Sequence, residues 1–226
     1  METVADKLPK ESKFWRRWMW DYSVGELMGI GVATAIGRLL FVNFPVTGSS
    51  QTTITVVLLV AAGFTEGAVI GYMQWRSLSK LSSGFPPLLW IFVTTFATLA
   101  GWLFILPPGI MFIAFLTKTS LISAYNSVLY TALVGLTFGG LIGIPQYFIV
   151  RKHFANGAIW IVSNSIGWMV SFLIIYFSLL AFTGTYVQNL VLIAIACISS
   201  GFVQGSITGT SLHYLMAVKM KENKKL

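Results

Sequence analysis

Charge is the first thing this chain lacks. Asp, Glu, Lys and Arg make up 10% of its 226 residues, against about 25% in an ordinary soluble domain. So few charges cannot clothe a water-soluble globule of this size. Cysteine is nearly absent as well. Cys197 stands alone, which excludes an internal disulfide and a CxxC metal site. Inside the run "VLIAIACI" it reads as a small buried packing residue. Period-2 alternation of apolar and polar residues is missing, which argues against a membrane β-barrel. There is no HExxH, no GxSxG and no EF-hand loop, and "GIGVAT" at 29–34 lacks the third glycine and preceding strand of a nucleotide loop. His153, in a loop after "RK", reads as a surface histidine, and His213 has no Cys or acid at ligand spacing, so no metal site is expected. No motif names a cofactor.

What the chain has instead is long apolar runs. Crossing about 30 Å of hydrocarbon takes about 20 apolar residues in a helix. Six stretches qualify, near 22–42, 53–76, 88–108, 125–149, 158–181 and 190–216. The expected fold is therefore an all-α integral membrane protein with six transmembrane helices over 22–216. Residues 1–21 are expected to form an arm ending in an interfacial helix at "FWRRWMW", not a cleaved signal peptide. Residues 217–226 form a basic tail.

The net charge is +8, and its distribution matters more than its size. If the N-terminal side is called inside, then Lys7, Lys10, Lys13, Arg16, Arg17, Arg76, Lys80, Arg151, Lys152, Lys219, Lys221, Lys224 and Lys225 are all inside. Only Arg38 and Lys118 fall toward the other side. Basic residues stay on the cytoplasmic side during insertion, so both termini are expected there. Anionic lipid headgroups are the natural partner of such a face, and no nucleic acid is required.

A repeat runs through the chain. Gly63, Gly67 and Gly71 lie four apart, as do Gly135, Gly139 and Gly143, and again Gly201, Gly205 and Gly209. The offsets are 72 and 66 residues. The first two copies continue as "GYMQW" and "GIPQY", carrying Gln74 and Gln146; the third reads "GTSLH" and drops the glutamine. In the alternate helices a small residue follows a tryptophan by seven and by eleven positions: Gly25 and Gly29 after Trp18, Ala97 and Gly101 after Trp90, Gly167 and Ser171 after Trp160. The expectation is three tandem parallel helical hairpins (about 18–80, 88–152 and 158–216) with pseudo-threefold symmetry about the membrane normal. Residues four apart share a helix face, and small residues let helices approach closely in lipid. The glycines are therefore packing candidates. Trp18, Trp20, Trp90, Trp160, Trp75 and Tyr147, near helix ends, are expected in an interfacial aromatic belt. The apolar "LPPGIMFIAFLTK" at 106–118 is expected to kink or to lie in the interface.

Two carboxylates lie within these runs, Glu26 and Glu66. Aligned on the glycines and tryptophans of the repeat, Glu66 corresponds to Phe138 and Gln204, and Glu26 to Thr98 and Trp168, so neither charge belongs to the repeated scaffold. Each acid is roughly 12–15 Å from the basic boundary at 1.5 Å per residue. Ionisable groups inside a span are functional candidates by default. If the two meet, they cannot both stay charged in a low dielectric without a proton or a hard cation between them. Glu26, Glu66, Gln74 and Gln204 are the candidate proton, cation or substrate site. Separate glutamates that hydrogen-bond across helices remain the plainer reading. Gln74, Gln146, Asn126 and Asn164 are expected to hydrogen-bond between helices.

The "G-x3-G-x2-Q-[WY]" helix ends, the alternating "W-I-x-x-[TN]" helices and the "GE" of the first span resemble small polytopic inner-membrane proteins of bacteria, cyanobacteria among them. The resemblance covers the six spans and implies a bacterial inner-membrane location, without an activity. Three functions stay open: a small transporter or channel-like protein, a structural or assembly subunit with a membrane-protein partner or a second copy of itself, and a membrane-embedded enzyme on lipid or isoprenoid. One outcome follows from the charge pattern alone. A reporter fused after Leu226 is expected on the cytoplasmic side, as is one before Met1, and a C-terminal reporter found outside the cell would overturn the six-span topology.

Overall fold

The computed structural model describes residues 11–43, 49–80, 84–105, 124–154, 156–181 and 185–223. Among these are six α-helices: α1 Glu11–Asn43, α2 Ser49–Leu78, α3 Pro87–Phe104, α4 Ala124–Val150, α5 Ile159–Leu180 and α6 Tyr186–Asn223. All but α1 contain a stretch long and apolar enough to cross a membrane, which points to an integral membrane protein. The expectations for Lys7, Lys10, Lys118 and the segment 106–118 lie outside the described residues. So do those for the side chains of Arg38, Asn126 and the tail lysines.

Local chemistry sets several helix ends. Pro86 precedes α3 and Pro87 occupies its first turn, where the missing N–H costs nothing and φ is already helical. Asn156, ahead of α5, takes φ 57°, a left-handed conformation that asparagine tolerates better than most residues. Two boundaries differ from expectation. The segment "FWRRWMW" is no separate interfacial helix: α1 runs unbroken from Glu11. Likewise α6 continues through the basic stretch to Asn223. Lys and Arg stems are good helix formers, and nothing at either junction breaks the helix.

Each helix packs against its neighbours in the chain, and α6 closes onto α1, so the described helices form a ring. Large apolar side chains such as Phe64, Phe92, Phe96, Leu133, Ile166 and Phe202 face outward. That surface suits lipid tails.

Glycine decides how close the helices come. A Cβ on Gly63, Gly67 or Gly71 would stand 2.9, 2.7 or 3.1 Å from the Cα of Leu99, Thr95 or Ile91 on α3. On α4, Gly135, Gly139 and Gly143 press against Met169, Ser165 and Ile161 of α5. On α6, Gly201 and Gly205 press against Ser23 and Met19 of α1, and Gly209 against Trp18 and Trp15. Within the hairpins the small residues are on the other partner. Gly25 of α1 receives Ile70, Gly29 receives the Glu66 stem, Gly101 of α3 receives the Phe138 ring, and Gly167 of α5 receives the Gln204 amide.

Three of the tryptophans expected in an interfacial belt are elsewhere. Trp18, Trp90 and Trp160 are wholly buried. Their rings meet at the centre of the bundle, Trp160 lying 6.2 Å from Trp18 and 5.9 Å from Trp90 between centroids. The amphipathic character that suits an indole to an interface also suits it to a core where its N–H has a partner. Trp20 does face outward, and Trp75 is half-buried.

Replacing Gly67, Gly139 or Gly205 with Leu is expected to wedge two backbones apart and to cost about 1–3 kcal/mol, as overpacking does. Gly31 has nothing within 4 Å of its would-be Cβ, so Gly31→Ala serves as the neutral control. Thermal unfolding in detergent reads both, and wild-type stability in all three Leu variants would refute the close-packing assignment.

Candidate functional site

The interior is built from two kinds of stripe. On the odd helices, residues four apart face inward and are buried: Trp18, Tyr22 and Glu26 on α1, Trp90, Thr94 and Thr98 on α3, Trp160, Asn164 and Trp168 on α5. On the even helices the inward residues include Gln74, Ile70 and Glu66, then Gln146, Ile142 and Phe138, then Thr208, Gln204 and Ser200. The i, i+4 spacing stacks each set in successive turns of one face.

The lowest layer, next to the basic end, is the tryptophan cluster, and every indole N–H is spoken for. Trp90 Nε1 donates to Gln74 Oε1 at 3.1 Å, Trp160 Nε1 to Gln146 Oε1 at 3.0 Å and Trp18 Nε1 to Thr208 Oγ1 at 3.0 Å. The glutamines join these units. Gln74 Nε2 donates to the Tyr22 hydroxyl at 2.5 Å, while Gln146 Nε2 donates to Thr94 Oγ1 at 2.8 Å and to Gln74 Oε1 at 3.2 Å. Away from water, an unpaired polar group costs far more than a paired one returns. Gln74 and Gln146 thus bond between helices as expected. Asn164 does not: its Nδ2 donates to Trp160 O, one turn back in its own helix.

Beside this layer α1 and α2 are pinned by a buried acid that the sequence analysis does not single out. Asp21 accepts from Arg76 and Ser77 of α2, and Arg17 Nε lies 3.6 Å away. The signal was present in the sequence. Asp21 is an acid among basic residues one turn after Arg17, where an i, i+4 partner is expected.

Above the tryptophans lie the two glutamates. Glu66 rests on Gly29, one turn beyond Glu26 along α1, and the two carboxylates are electrostatic neighbours. Glu66 Oε2 accepts from Trp102 Nε1 of α3 at 2.6 Å. Sequence reasoning missed Trp102, because only the α2–α3 packing brings it there. Glu26 has no such support. Both of its oxygens are buried without a hydrogen-bond partner, as are Thr98 Oγ1, Asn164 Oδ1 and both polar atoms of the Gln204 amide. The Gln204 amide lies beside the Tyr22 hydroxyl, which is also a neighbour of Glu26, but makes no well-formed hydrogen bond to it. Of the four candidate residues, Glu26, Glu66 and Gln204 therefore share one neighbourhood. Gln74 lies in the layer beneath, joined to it through Tyr22.

Cys197 of α6 is also close to the acids and is buried. Among the described residues no group of three or more His, Cys, Asp or Glu is arranged to hold a metal ion. The arrangement offers carboxylates, hydroxyls and amide carbonyls, with no basic side chain on the inward stripes. Such a set receives a proton or a hard cation. Compared with known protein families, characterised proteins and solved structures, the chain matches none.

Gln74→Leu is expected to orphan the Trp90 N–H and the Tyr22 hydroxyl together, at about 1–3 kcal/mol for each buried group left unpaired. Thermal unfolding beside Thr137→Val, a change on the exposed face of α4, checks it. Equal melting points for the two variants would mean that the network adds nothing.

Proposed function

We propose that this chain is a small transporter or channel-like protein of a bacterial inner membrane, moving protons or cations through a site on Glu26 and Glu66. One observation carries the reading: Glu26 is a buried carboxylate without a hydrogen-bond partner, beside a second buried carboxylate. An acid is expensive there, and a protein that needed only packing would be better served by leucine.

In this proposal α1 is the sixth span, and both termini face the cytoplasm. The ring is made of three parallel hairpins about a pseudo-threefold axis. Three sets of contacts support the symmetry. Gly67, Gly139 and Gly201 press on Thr95, Ser165 and Ser23; Gly71, Gly143 and Gly205 press on Ile91, Ile161 and Met19. Gln74, Gln146 and Thr208 each receive an indole N–H from the next odd helix. Thr208 follows Gln146 by 62 residues, so the third hairpin is best aligned one turn away from the 66-residue glycine offset. In that register Thr208 does the work of the missing glutamine, and Ser200, not Gln204, corresponds to Glu66.

An assembly subunit that docks through its glycines needs a small-residue face open to its partner. The nine repeat glycines instead face α3, α5 and α1 of the same chain. The tryptophan layer closes the basic side of the acids, so passage requires Trp18, Trp90 and Trp160 to part and their three hydrogen bonds to be exchanged.

The test is flux into proteoliposomes with a pH-sensitive dye inside, under an imposed cation gradient and membrane potential. Wild-type protein is expected to raise flux above that of empty vesicles, and Glu26→Gln with Glu66→Gln to return it to background. Flux in the double variant equal to wild type would dismiss the acids, and no flux in the wild type would dismiss the reading.

A further inference from the structure

We propose that Thr98 and Gln204 complete, with Glu26, an all-oxygen binding site for one dehydrated monovalent alkali cation inside the ring. The inference rests on the transporter reading above and names its cargo.

The unpartnered atoms carry the argument. Glu26 Oε1 and Oε2, Thr98 Oγ1 and Gln204 Oε1 are buried and make no hydrogen bond, although buried polar atoms in native proteins are almost always satisfied. Hydroxyls about one turn away on the same helices are satisfied: Thr94 and Thr95 bond back to Trp90 O and Ile91 O, and Thr208 to Gln204 O. Asn164 Oδ1 and Asn189 Oδ1 are unpartnered elsewhere in the fold, and these four oxygens are the ones grouped around the acids. They come from three helices, α1, α3 and α6. Tyr22 links two of them: its hydroxyl lies beside the Gln204 amide and within electrostatic reach of Glu26, which is one turn further along α1. Glu66 links the third: Thr98 presses on Gly67, the next residue after Glu66, and Glu66 is the neighbour of Glu26.

A proton alone would satisfy one oxygen of Glu26 and leave Thr98 and Gln204 as they are. A hard cation draws on all of them, because carboxylate, hydroxyl and amide oxygens are its preferred ligands. Charge selects the valence. Two neighbouring carboxylates away from water do not both stay charged; with one proton on Glu66, which also accepts the Trp102 N–H, Glu26 is left as the one charged carboxylate among neutral dipoles, a match for a single positive charge. Calcium takes about 6–8 oxygens and usually several carboxylates, and magnesium keeps much of its water, so neither suits this set.

Sodium is the probe. Binding of radioactive Na⁺ to the purified full-length protein in detergent, read by scintillation proximity, is expected to saturate at one ion per chain. Unlabelled Na⁺ should displace it; choline and Mg²⁺ should not. Thr98→Val and Gln204→Leu, each checked for folding by gel filtration, are expected to weaken binding by about tenfold or more, the loss of one good polar contact, while Thr137→Val leaves it unchanged. Absence of Na⁺ binding, displacement by Mg²⁺ at equal concentration, or full affinity in both folded variants would each overturn the proposal. Proton flux that depends on Glu26 without any Na⁺ binding would remove this inference and keep the transporter reading; neither flux nor binding would remove both.

Discussion

Everything in this bundle depends on how closely two backbones can approach when burying leucine returns nothing. Lipid tails are as apolar as the side chains they meet, so helices in a bilayer hold together by contact density and by hydrogen bonds between them. The nine repeat glycines supply the first. At Gly67 the would-be Cβ is 2.7 Å from Thr95 Cα, and at Gly205 it is 2.7 Å from Met19 Cα, so the contacting surface is backbone itself. With side chains removed from these seams, the large residues are displaced in two directions. Phenylalanines and leucines go outward to lipid, and tryptophans go inward to the axis.

That inward displacement creates the second constraint. An indole in a low-dielectric core must donate its N–H or forfeit the desolvation cost. Gln74, Gln146 and Thr208 meet that need, and the amide groups of the two glutamines then bind Tyr22, Thr94 and one another. The result is a continuous polar layer across α1 to α5, with Thr208 of α6 attached through Trp18. It is satisfied almost everywhere. The level above it is not, and that contrast sets Glu26 apart. The same helices, with the same spacing, place a well-bonded layer beside one whose oxygens have nothing to bind.

The two acids also differ from each other, although the sequence presents them alike. Glu66 lies on Gly29 and receives Trp102, which fixes its position. Glu26 has no donor. In the proposed site Glu66 is therefore the held acid and Glu26 the ion ligand. Asp21 holds α1 to α2 at the basic end with Arg76 and Ser77, next to Tyr22.

Apolar length, the inward-facing i, i+4 stripes and the oddity of two glutamates in such runs are local properties of the chain, and the sequence by itself determined them. Helix period and the thickness of hydrocarbon are enough to read them. Which faces meet is not local. Trp18, Trp90 and Trp160 read as interfacial because an indole is amphipathic; only closure of the ring by α6 on α1 turns them to a common centre. The last hairpin shows the limit most plainly. A glycine pattern of period four matches itself when slid by one turn, so the series Gly201, Gly205, Gly209 fits two registers, and the sequence cannot choose between them. Under the proposed threefold arrangement, the contacts of Gly201 with Ser23 and of Thr208 with Trp18 favour the register one turn away. In the same way Trp102 comes to Glu66, and Gln204 to Tyr22, by the packing of helices distant in the chain. The partners of a buried charge are set by tertiary closure, because a side chain's hydrogen-bonding needs are written in its own chemistry but their satisfaction depends on residues elsewhere.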